Sequence, residues 1–255
     1  MKLTIDTEQK TLVRESGGVS ETLPLYSDRA FDLIAEQWVH VGWNQKYSYT
    51  FSWMGRPIIQ LPEDMVRTQE VLHRIQPDVI VETGVAHGGS LVYYASICRM
   101  LGKGRVIGID IEIRPQNRAA IEAHPMGRDI TLVEGSSTSP AVVKQVHDLV
   151  RPGETVLVLL DSNHTRQHVL DELEAYHDLV TPGSYIVATD GIMKDLSDTP
   201  RGQKEWTWDN PTDAAIDFVK RHPQFVIEQP AWAFNESGLS RNLTHWPGAW
   251  LRRVS

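Results

Sequence analysis

Short apolar runs alternate with amphipathic segments between residues 78 and 190. The runs are rich in Val, Ile and Leu, as in strands buried on both faces, and the segments between them carry apolar residues at helical spacing. Such alternation is typical of an α/β fold in which helices cover both faces of a mostly parallel sheet. The predicted strands are 78–84, 105–110, 129–134, 154–161 and 183–190, and the predicted helices lie near 89–101, 115–123, 139–150 and 165–180.

The chain has a different pattern on either side of this segment. Residues 1–25 show weak periodicity and predict no regular element, only a leader available for packing on a neighbouring subunit. We expect an N-terminal appendage over residues 1–60, a helix plus an aromatic loop, and a single domain over residues 61–255. Further helices are predicted at 27–45, 62–75 and 211–221, and apolar stretches at 224–228 and 249–254 predict a C-terminal antiparallel hairpin.

The turn after the first predicted strand carries the most informative motif, Glu82-Thr83-Gly84-Val85-Ala86-His87-Gly88-Gly89-Ser90. Its glycines permit tight turning and close backbone approach, and Ser90 is expected to cap the next helix. The dinucleotide signature G-x-G-x-x-G and the phosphate-binding G-x-x-x-x-G-K-[ST] both fail to match, and Glu82 would repel a phosphate. A strand that ends in an acidic residue (Glu82) and leads into a glycine turn is typical of an S-adenosylmethionine pocket when the next strand also ends in an acid, here Asp110. The alternative is a turn that only connects strand and helix.

Polar residues follow the other predicted strands as well. In open α/β sheets, ligands bind beyond the carboxyl ends of the strands, so these residues are expected to share one crevice. At the second strand, Asp110-Ile111 places a carboxylate that can accept both hydroxyls of a ribose. At the third, Gly135-Ser136-Ser137 is a small polar turn that can run along an adenine edge.

The fourth and fifth strands end in carboxylates, Asp161 and Asp190. Two carboxylates with hydroxyl or amide oxygens nearby suit a hard cation such as Mg²⁺, although each could instead cap a helix or anchor a loop. His164 is the natural general base because its pKa lies near working pH; its alternative role is hydrogen bonding at a helix start. His87, inside the glycine turn, is placed to touch a cofactor.

Charge and hydropathy exclude several classes of protein. The formal net charge is −8 and the isoelectric point is near 5.7, which argues against nucleic acid or an anionic membrane as the main partner. No apolar run approaches the ~20 residues that span a bilayer. The first residues, Met1 to Asp6, do not have the character of a signal peptide. We expect a cytoplasmic protein with neither a nucleic-acid nor a membrane partner.

Several longer runs of the sequence are similar to those of one family. The segments 51–58 (FSWMGRPI), 86–91 (AHGGSL), 108–111 (GIDI), 117–126 (NRAAIEAHPM) and 160–165 (LDSNHT) resemble the cephalosporin hydroxylase family, which includes rhamnosyl O-methyltransferases. The resemblance covers residues 45–190 best. It implies a Rossmann-like class I methyltransferase fold, the cofactors S-adenosylmethionine and Mg²⁺, and a homo-oligomer.

The resemblance also implies roles for individual residues. Metal ligands would be Asp161 and the acidic residues at the end of the fifth strand. Relatives tend to have two adjacent acids there, whereas this chain has Thr189-Asp190. Thr189 or water would then supply the missing ligand, or the metal would bind more weakly. Cofactor contacts are implied around Glu82, Gly84, Ala86, Ser90, Asp110 and Ser136, and we expect Asp161 to contact the cofactor as well.

We therefore expect a Mg²⁺-assisted, S-adenosylmethionine-dependent O-methyltransferase acting on a hydroxyl of a sugar or natural-product scaffold. Asp161 and His164 would be catalytic, and Trp206, Trp208 and the stretch 47–53 are candidates for the walls of the acceptor pocket. One alternative is a true oxygenase, which would need two histidines and a carboxylate around iron, usually on a β-barrel. Another is a non-catalytic protein that binds S-adenosylmethionine or a nucleotide.

Overall fold

The computed structural model describes residues 1–255, which form twelve strands and seven α-helices. Short 3-10 helices lie at Tyr47–Thr50, Gly127–Asp129, Gly191–Asp195 and Lys204–Thr207. The strands are β1 (Lys2–Asp6), β2 (Thr11–Ser16), β3 (Val19–Pro24), β4 (Phe51–Trp53), β5 (Arg56–Ile58), β6 (Val79–Thr83), β7 (Arg105–Asp110), β8 (Ile130–Glu134), β9 (Val156–Leu160), β10 (Tyr185–Ala188), β11 (Phe225–Ile227) and β12 (Trp250–Arg253). The α-helices are α1 (Asp28–Asn44), α2 (Pro62–Ile75), α3 (Gly89–Leu101), α4 (Pro115–Glu122), α5 (Pro140–Leu149), α6 (Arg166–Tyr176) and α7 (Pro211–Arg221).

The central sheet has seven strands in the order β11-β12-β10-β9-β6-β7-β8. Its five strands from β10 to β8 are parallel, and β12 runs antiparallel to both of its neighbours. Side chains alternate between two cores: Ile80 and Leu157 pack on one face, and Val79 and Val158 on the other. The predicted α/β fold, with a mostly parallel sheet and a C-terminal antiparallel hairpin, is confirmed.

The predicted elements of this sheet are confirmed with small shifts at their ends. Four helices begin with proline at their first position, where its fixed φ favours the helix and its missing N–H costs nothing. The predicted helix 165–180 is too long, because α6 ends at Tyr176. The chain then turns toward Pro182, whose ring disfavours helical backbone in the residue before it.

The N-terminal segment differs from the prediction. Residues 1–25 form an antiparallel sheet of β1, β2 and β3, and the turn of the second hairpin is Gly17-Gly18, both in the left-handed region. Only Leu12 of this sheet is fully buried, against Ala30 and Leu33 of α1, so the strands show little apolar alternation. The Gly-Gly pair between two short runs was the available hairpin signal.

The aromatic stretch after α1 is also more regular than predicted. Strands β4 and β5 form a hairpin whose turn, Met54-Gly55, has positive φ at both residues. The hairpin packs on α3, where Trp53 Nε1 donates a hydrogen bond of 3.0 Å to Ser96. Arg56 Nε donates to the His87 carbonyl at 3.0 Å, which ties the hairpin to the glycine turn. The division of the chain at residue 60 stays a prediction. None of the helices combines the length and apolarity that crossing a bilayer requires.

Candidate active site

The glycine turn lies directly against the chain that follows β9. Gly84 has φ +96°, and a Cβ built on it would lie 2.1 Å from the Asp161 carbonyl oxygen. The Asp161 N–H donates to the Thr83 carbonyl at 2.8 Å, and the Gly84 N–H donates to the Ile109 carbonyl at 2.7 Å. Only glycine fits this position, since any side chain would separate the two turns. The contact fixes Asp161 beside the turn.

Glu82 is fully buried at the end of β6. Its Oε2 accepts a hydrogen bond of 2.6 Å from the Ser90 hydroxyl, and the Tyr94 hydroxyl also lies within hydrogen-bonding reach of the carboxyl group. Burial and the nearby Asp161 raise the pKa of Glu82 well above its usual value. The predicted cap at Ser90 is wrong, because α3 begins at Gly89 after Gly88 in the left-handed region, and Ser90 binds Glu82 instead.

Asp110 holds the glycine turn to the end of β7. Its Oδ2 accepts hydrogen bonds from the Val85 N–H at 2.8 Å and the Ala86 N–H at 3.2 Å. Its Oδ1 accepts only the Glu112 N–H, at 3.3 Å, so it retains capacity for a ligand hydroxyl. Ile111, predicted as a cofactor contact, has its side chain exposed at the rim.

The turn after β8 contributes less than its sequence indicates. The Gly135 N–H donates to the Asp110 carbonyl at 2.8 Å, so the turn does reach the neighbouring strand end. The Ser136 hydroxyl lies 3.2 Å from the Thr138 hydroxyl. Ser137, however, is buried, and its hydroxyl donates to Glu172 of α6 at 2.6 Å. The Ser137 hydroxyl therefore forms its hydrogen bond inside the protein, with a neighbouring helix.

Asp161, His164 and Asp190 converge at the ends of β9 and β10. One potential ligand atom from each lies within 4.8 Å of the other two, and His164 Nε2 is 3.5 Å from Asp190 Oδ2. The Thr189 hydroxyl lies 2.6 Å from Asp161 Oδ1 and 2.8 Å from the Leu160 carbonyl. Thr189 is thus brought to the predicted metal ligands as a hydrogen-bond partner that orients Asp161.

The electrostatics of this cluster favour a bound cation. Burial and the charge of Asp190 raise the pKa of Asp161 to about 7, and burial raises the pKa of Asp190 to about 7. Burial lowers the pKa of His164, whose Nδ1 is enclosed without a hydrogen-bond partner. A divalent cation would offset the repulsion between the two partly buried carboxylates. The two carboxylates supply the oxygen donors that such an ion prefers, and the His164 imidazole lies beside them.

Two cavities lie beside this cluster and share its Asp190. The glycine-turn cavity, of about 140 Å³, is lined by residues 57–60 and 84–87 with Tyr49, Gly89, Ser90, Asp161, His164 and Asp190. The aromatic cavity, of about 270 Å³, is lined by Trp43, Lys46, Ser48, Tyr49, residues 59–61, Asp190, Arg201, Gln203, Trp206, His245 and Trp246. Both include Tyr49, Ile59, Gln60 and Asp190.

The predicted site residues differ in whether they line one of the two cavities. Five predicted cofactor contacts line the glycine-turn cavity, namely Gly84, Ala86, His87, Ser90 and Asp161, and their role in binding stays a prediction. Of the predicted acceptor walls, Trp206 lines the aromatic cavity, and Trp208 is exposed outside it. Glu82 and Asp110 reach the turn through hydrogen bonds, whereas Ile111 and residues 135–137 do not line either cavity.

Sequence reasoning missed the part of the aromatic cavity that comes from the C-terminal connection. Buried Asp64 of α2 accepts hydrogen bonds from the Thr244 hydroxyl and, at 2.9 Å, from the His245 N–H. These bonds hold the chain between β11 and β12 against the cavity. The one available signal was an acidic residue within the predicted amphipathic helix 62–75. The sequence does not indicate which residues bind it.

A profile of the family described as rhamnosyl O-methyltransferase/CmcI matches residues 45–254. The chain belongs to this family. The predicted resemblance to cephalosporin hydroxylases and rhamnosyl O-methyltransferases is thereby confirmed, and the enzyme class is that of an S-adenosylmethionine-dependent O-methyltransferase.

Curated relatives agree with this membership. The chain is 30% identical to a rhamnosyl O-methyltransferase of Mycobacterium leprae (strain TN) over 68% of its own length and 74% of that protein. It is 32% identical to the rhamnosyl O-methyltransferase of Mycobacterium bovis (strain BCG / Pasteur 1173P2) over 64% of its length, and this alignment spans 65% of that relative.

Solved structures share the fold at low sequence identity. A CmcI structure (cmcI-D160 Mg-SAM) superposes with a TM-score of 0.55 and 19% identity, covering 81% of this chain and 78% of CmcI. A putative O-methyltransferase from Klebsiella pneumoniae superposes with a TM-score of 0.51 and 15% identity, covering 76% of this chain and 90% of that protein. The iron-oxygenase alternative finds no support, because the cluster has one histidine and two carboxylates and lies on an α/β sheet.

Proposed function

We propose that this enzyme transfers a methyl group from S-adenosylmethionine to a hydroxyl of a small molecule, with Mg²⁺ held by Asp161 and Asp190. The observation that carries the proposal is the convergence of Asp161, His164 and Asp190 beside the two cavities, which share Asp190. This position lets one cavity hold the methyl donor and the other the acceptor, with the reacting atoms at the junction.

Cofactor binding would rely on the glycine turn and the acids beside it. Gly84 and Ala86 line the cavity with backbone, and the buried carboxyl group of Glu82 lies behind Ser90, which lines the same cavity. Asp110 has one oxygen with spare capacity at the end of the neighbouring strand. CmcI, which shares this fold, has been solved with both Mg and SAM bound, which supports the same cofactor pair here.

When bound, S-adenosylmethionine supplies an electrophilic methyl group, and Mg²⁺ lowers the pKa of a hydroxyl that it coordinates. The two carboxylates would hold the ion, because Mg²⁺ prefers oxygen ligands, and Thr189 would keep Asp161 oriented. His164 would accept the hydroxyl proton at Nε2, since its lowered pKa keeps the imidazole neutral near pH 7. Alignment of the two substrates would supply most of the acceleration.

The acceptor would be a hydroxylated small molecule, such as a sugar or a natural-product scaffold. The aromatic cavity has tryptophan and tyrosine rings beside Ser48 and Gln203, so it offers flat apolar faces together with hydrogen-bonding groups. The mycobacterial relatives are named for methylation of a rhamnosyl group, which supports a sugar acceptor. A homo-oligomeric state stays a prediction.

The proposal is tested by titration calorimetry of S-adenosylmethionine with and without Mg²⁺, followed by methyl-transfer assays on sugars and hydroxylated natural products. We expect micromolar cofactor binding and Mg²⁺-dependent transfer. Asp161→Ala should abolish metal dependence and transfer while the fold is retained, whereas Asp195→Ala, an exposed acid after the same strand as Asp190, should behave as wild type. Full activity of Asp161→Ala would contradict the metal-assisted mechanism. Binding without transfer would favour the non-catalytic alternative.

A further inference from the structure

The aromatic cavity has two basic side chains on its wall, Lys46 and Arg201, and neither has a carboxylate within 4.0 Å. We propose that the acceptor carries an acidic group, a carboxylate or a phosphate, which these two side chains bind while its hydroxyl lies at Asp190. This inference rests on the proposed function and names its substrate class as hydroxylated acids.

Lys46 is held at the cavity by its backbone. It has φ 56°, a left-handed conformation that is uncommon for a residue with a Cβ. Its N–H donates to the Trp43 carbonyl and its carbonyl accepts from the Tyr49 N–H, both at 2.9 Å. Its Nζ lies 5.0 Å from the centre of the Tyr49 ring, which lines the same cavity. The ammonium group is therefore positioned over an aromatic wall.

Arg201 is fixed by the glycine that follows it. A Cβ on Gly202 would lie 2.0 Å from the Leu196 carbonyl oxygen, so the turn carrying Arg201 packs backbone against backbone. The Gly202 N–H also donates to the Thr199 carbonyl at 2.9 Å. A guanidinium presents a planar pair of donors that matches a carboxylate or a phosphate. The turn therefore places Arg201 on the cavity wall, and its side chain supplies a planar pair of donors there.

The charge on the cavity wall supports an anionic guest. Asp190 is the only acidic residue that lines it, and in the proposed function its charge is offset by the metal. The wall is then basic, in a protein whose formal net charge is −8. The glycine-turn cavity has neither lysine nor arginine, so the two cations serve the acceptor side of the junction.

The test uses the full-length protein loaded with Mg²⁺ and S-adenosylhomocysteine, titrated with D-glucose, D-glucuronate and D-glucose 6-phosphate. We expect at least one of the two anions to bind about tenfold or more tightly than glucose, with an affinity that falls as salt is added. The double variant Lys46→Gln/Arg201→Gln should lose this preference. The control Lys10→Gln/Arg29→Gln should keep it, since both are exposed and line neither cavity, and Lys10 also has positive φ.

Which anion is preferred distinguishes a carboxylate acceptor from a phosphate acceptor. Equal or absent binding of all three probes would overturn the inference, as would a preference that survives in Lys46→Gln/Arg201→Gln. A separate titration with S-adenosylmethionine keeps the two proposals apart. If the wild type binds S-adenosylmethionine but shows no preference for an anion, only the acidic acceptor is refuted. If the wild type does not bind S-adenosylmethionine, the proposed function itself is refuted.

Discussion

Replacement of Gly84 by alanine tests whether the glycine turn sets the position of Asp161. The added Cβ would lie 2.1 Å from the Asp161 carbonyl oxygen and 2.7 Å from its carbonyl carbon, at φ +96°. The left-handed backbone costs about 1 kcal/mol for a residue with a Cβ, and overpacking costs about 1–3 kcal/mol more. We therefore expect the free energy of unfolding to fall by about 2–4 kcal/mol.

The same substitution should impair methyl transfer beyond its effect on stability. Relief of the contact requires the Asp161 turn to move by about 1 Å, and a misplacement of that size costs on the order of 10²-fold in rate. Urea unfolding followed by the fluorescence of the eight tryptophans measures the first effect. Initial rates at saturating cofactor, under conditions where the variant is folded, measure the second.

Gly153→Ala is the matched control, because Gly153 has φ +86° and no atom lies within 4 Å of the position that its Cβ would take. Its free energy of unfolding should fall only by the cost of the left-handed backbone, about 1 kcal/mol. The difference between the two variants isolates the steric contact between the turns. If Gly84→Ala is no less stable than Gly153→Ala and retains full activity, the two turns do not position one another.

Three further predictions follow from individual charges. Asp190→Asn should weaken Mg²⁺ binding by at least about tenfold in calorimetry, whereas Asp195→Asn should not; equal affinities would remove Asp190 from the metal site. Because the pKa values of Asp161 and Asp190 are raised to about 7, Mg²⁺ affinity should fall as pH drops through 7, with proton release on binding; a flat profile would contradict this. Arg105 lowers the pKa of Glu154 from 4.5 to about 2, so the pair stabilises the fold above pH 4.5 and this contribution is lost as pH falls through about 2. Glu154→Gln should therefore cost about 1–2 kcal/mol at pH 7 in urea unfolding and progressively less toward pH 2, and a gap that is constant with pH would refute the assignment.

The central sheet was predictable because its strands are buried on both faces. All five residues of β9 are buried, so the strand appears in the sequence as the uninterrupted apolar run Val156–Leu160. Parallel topology then places all the strand ends at one edge, which is why Asp161 and Asp190 could be predicted as neighbours. By contrast, β1 to β3 are covered by one helix on one side, and their alternation was too weak to detect.

Side-chain directions and loop contacts were not predictable in the same way. Ser90 and Ser137 each lie in the predicted turns, but their hydroxyls bind the buried acids Glu82 and Glu172, which no local pattern pairs with them. Lys46 and Arg201 come from irregular connections that have no period to analyse. The fold brings them to one cavity through contacts between segments far apart in the chain.

The hydrogen bonds from Thr244 and His245 to Asp64 have an evolutionary consequence. Every residue that lines the glycine-turn cavity lies between Tyr49 and Asp190, whereas the aromatic cavity also needs residues from 201 to 246. The later segment is bound to α2 through buried Asp64, and its helix α7 and strand β11 pack in the core of the fold. Substitutions at its cavity-lining positions would alter the aromatic cavity without changing any residue that lines the glycine-turn cavity, so the acceptor side of the proposed site can diverge in evolution while the residues around the proposed methyl donor stay the same.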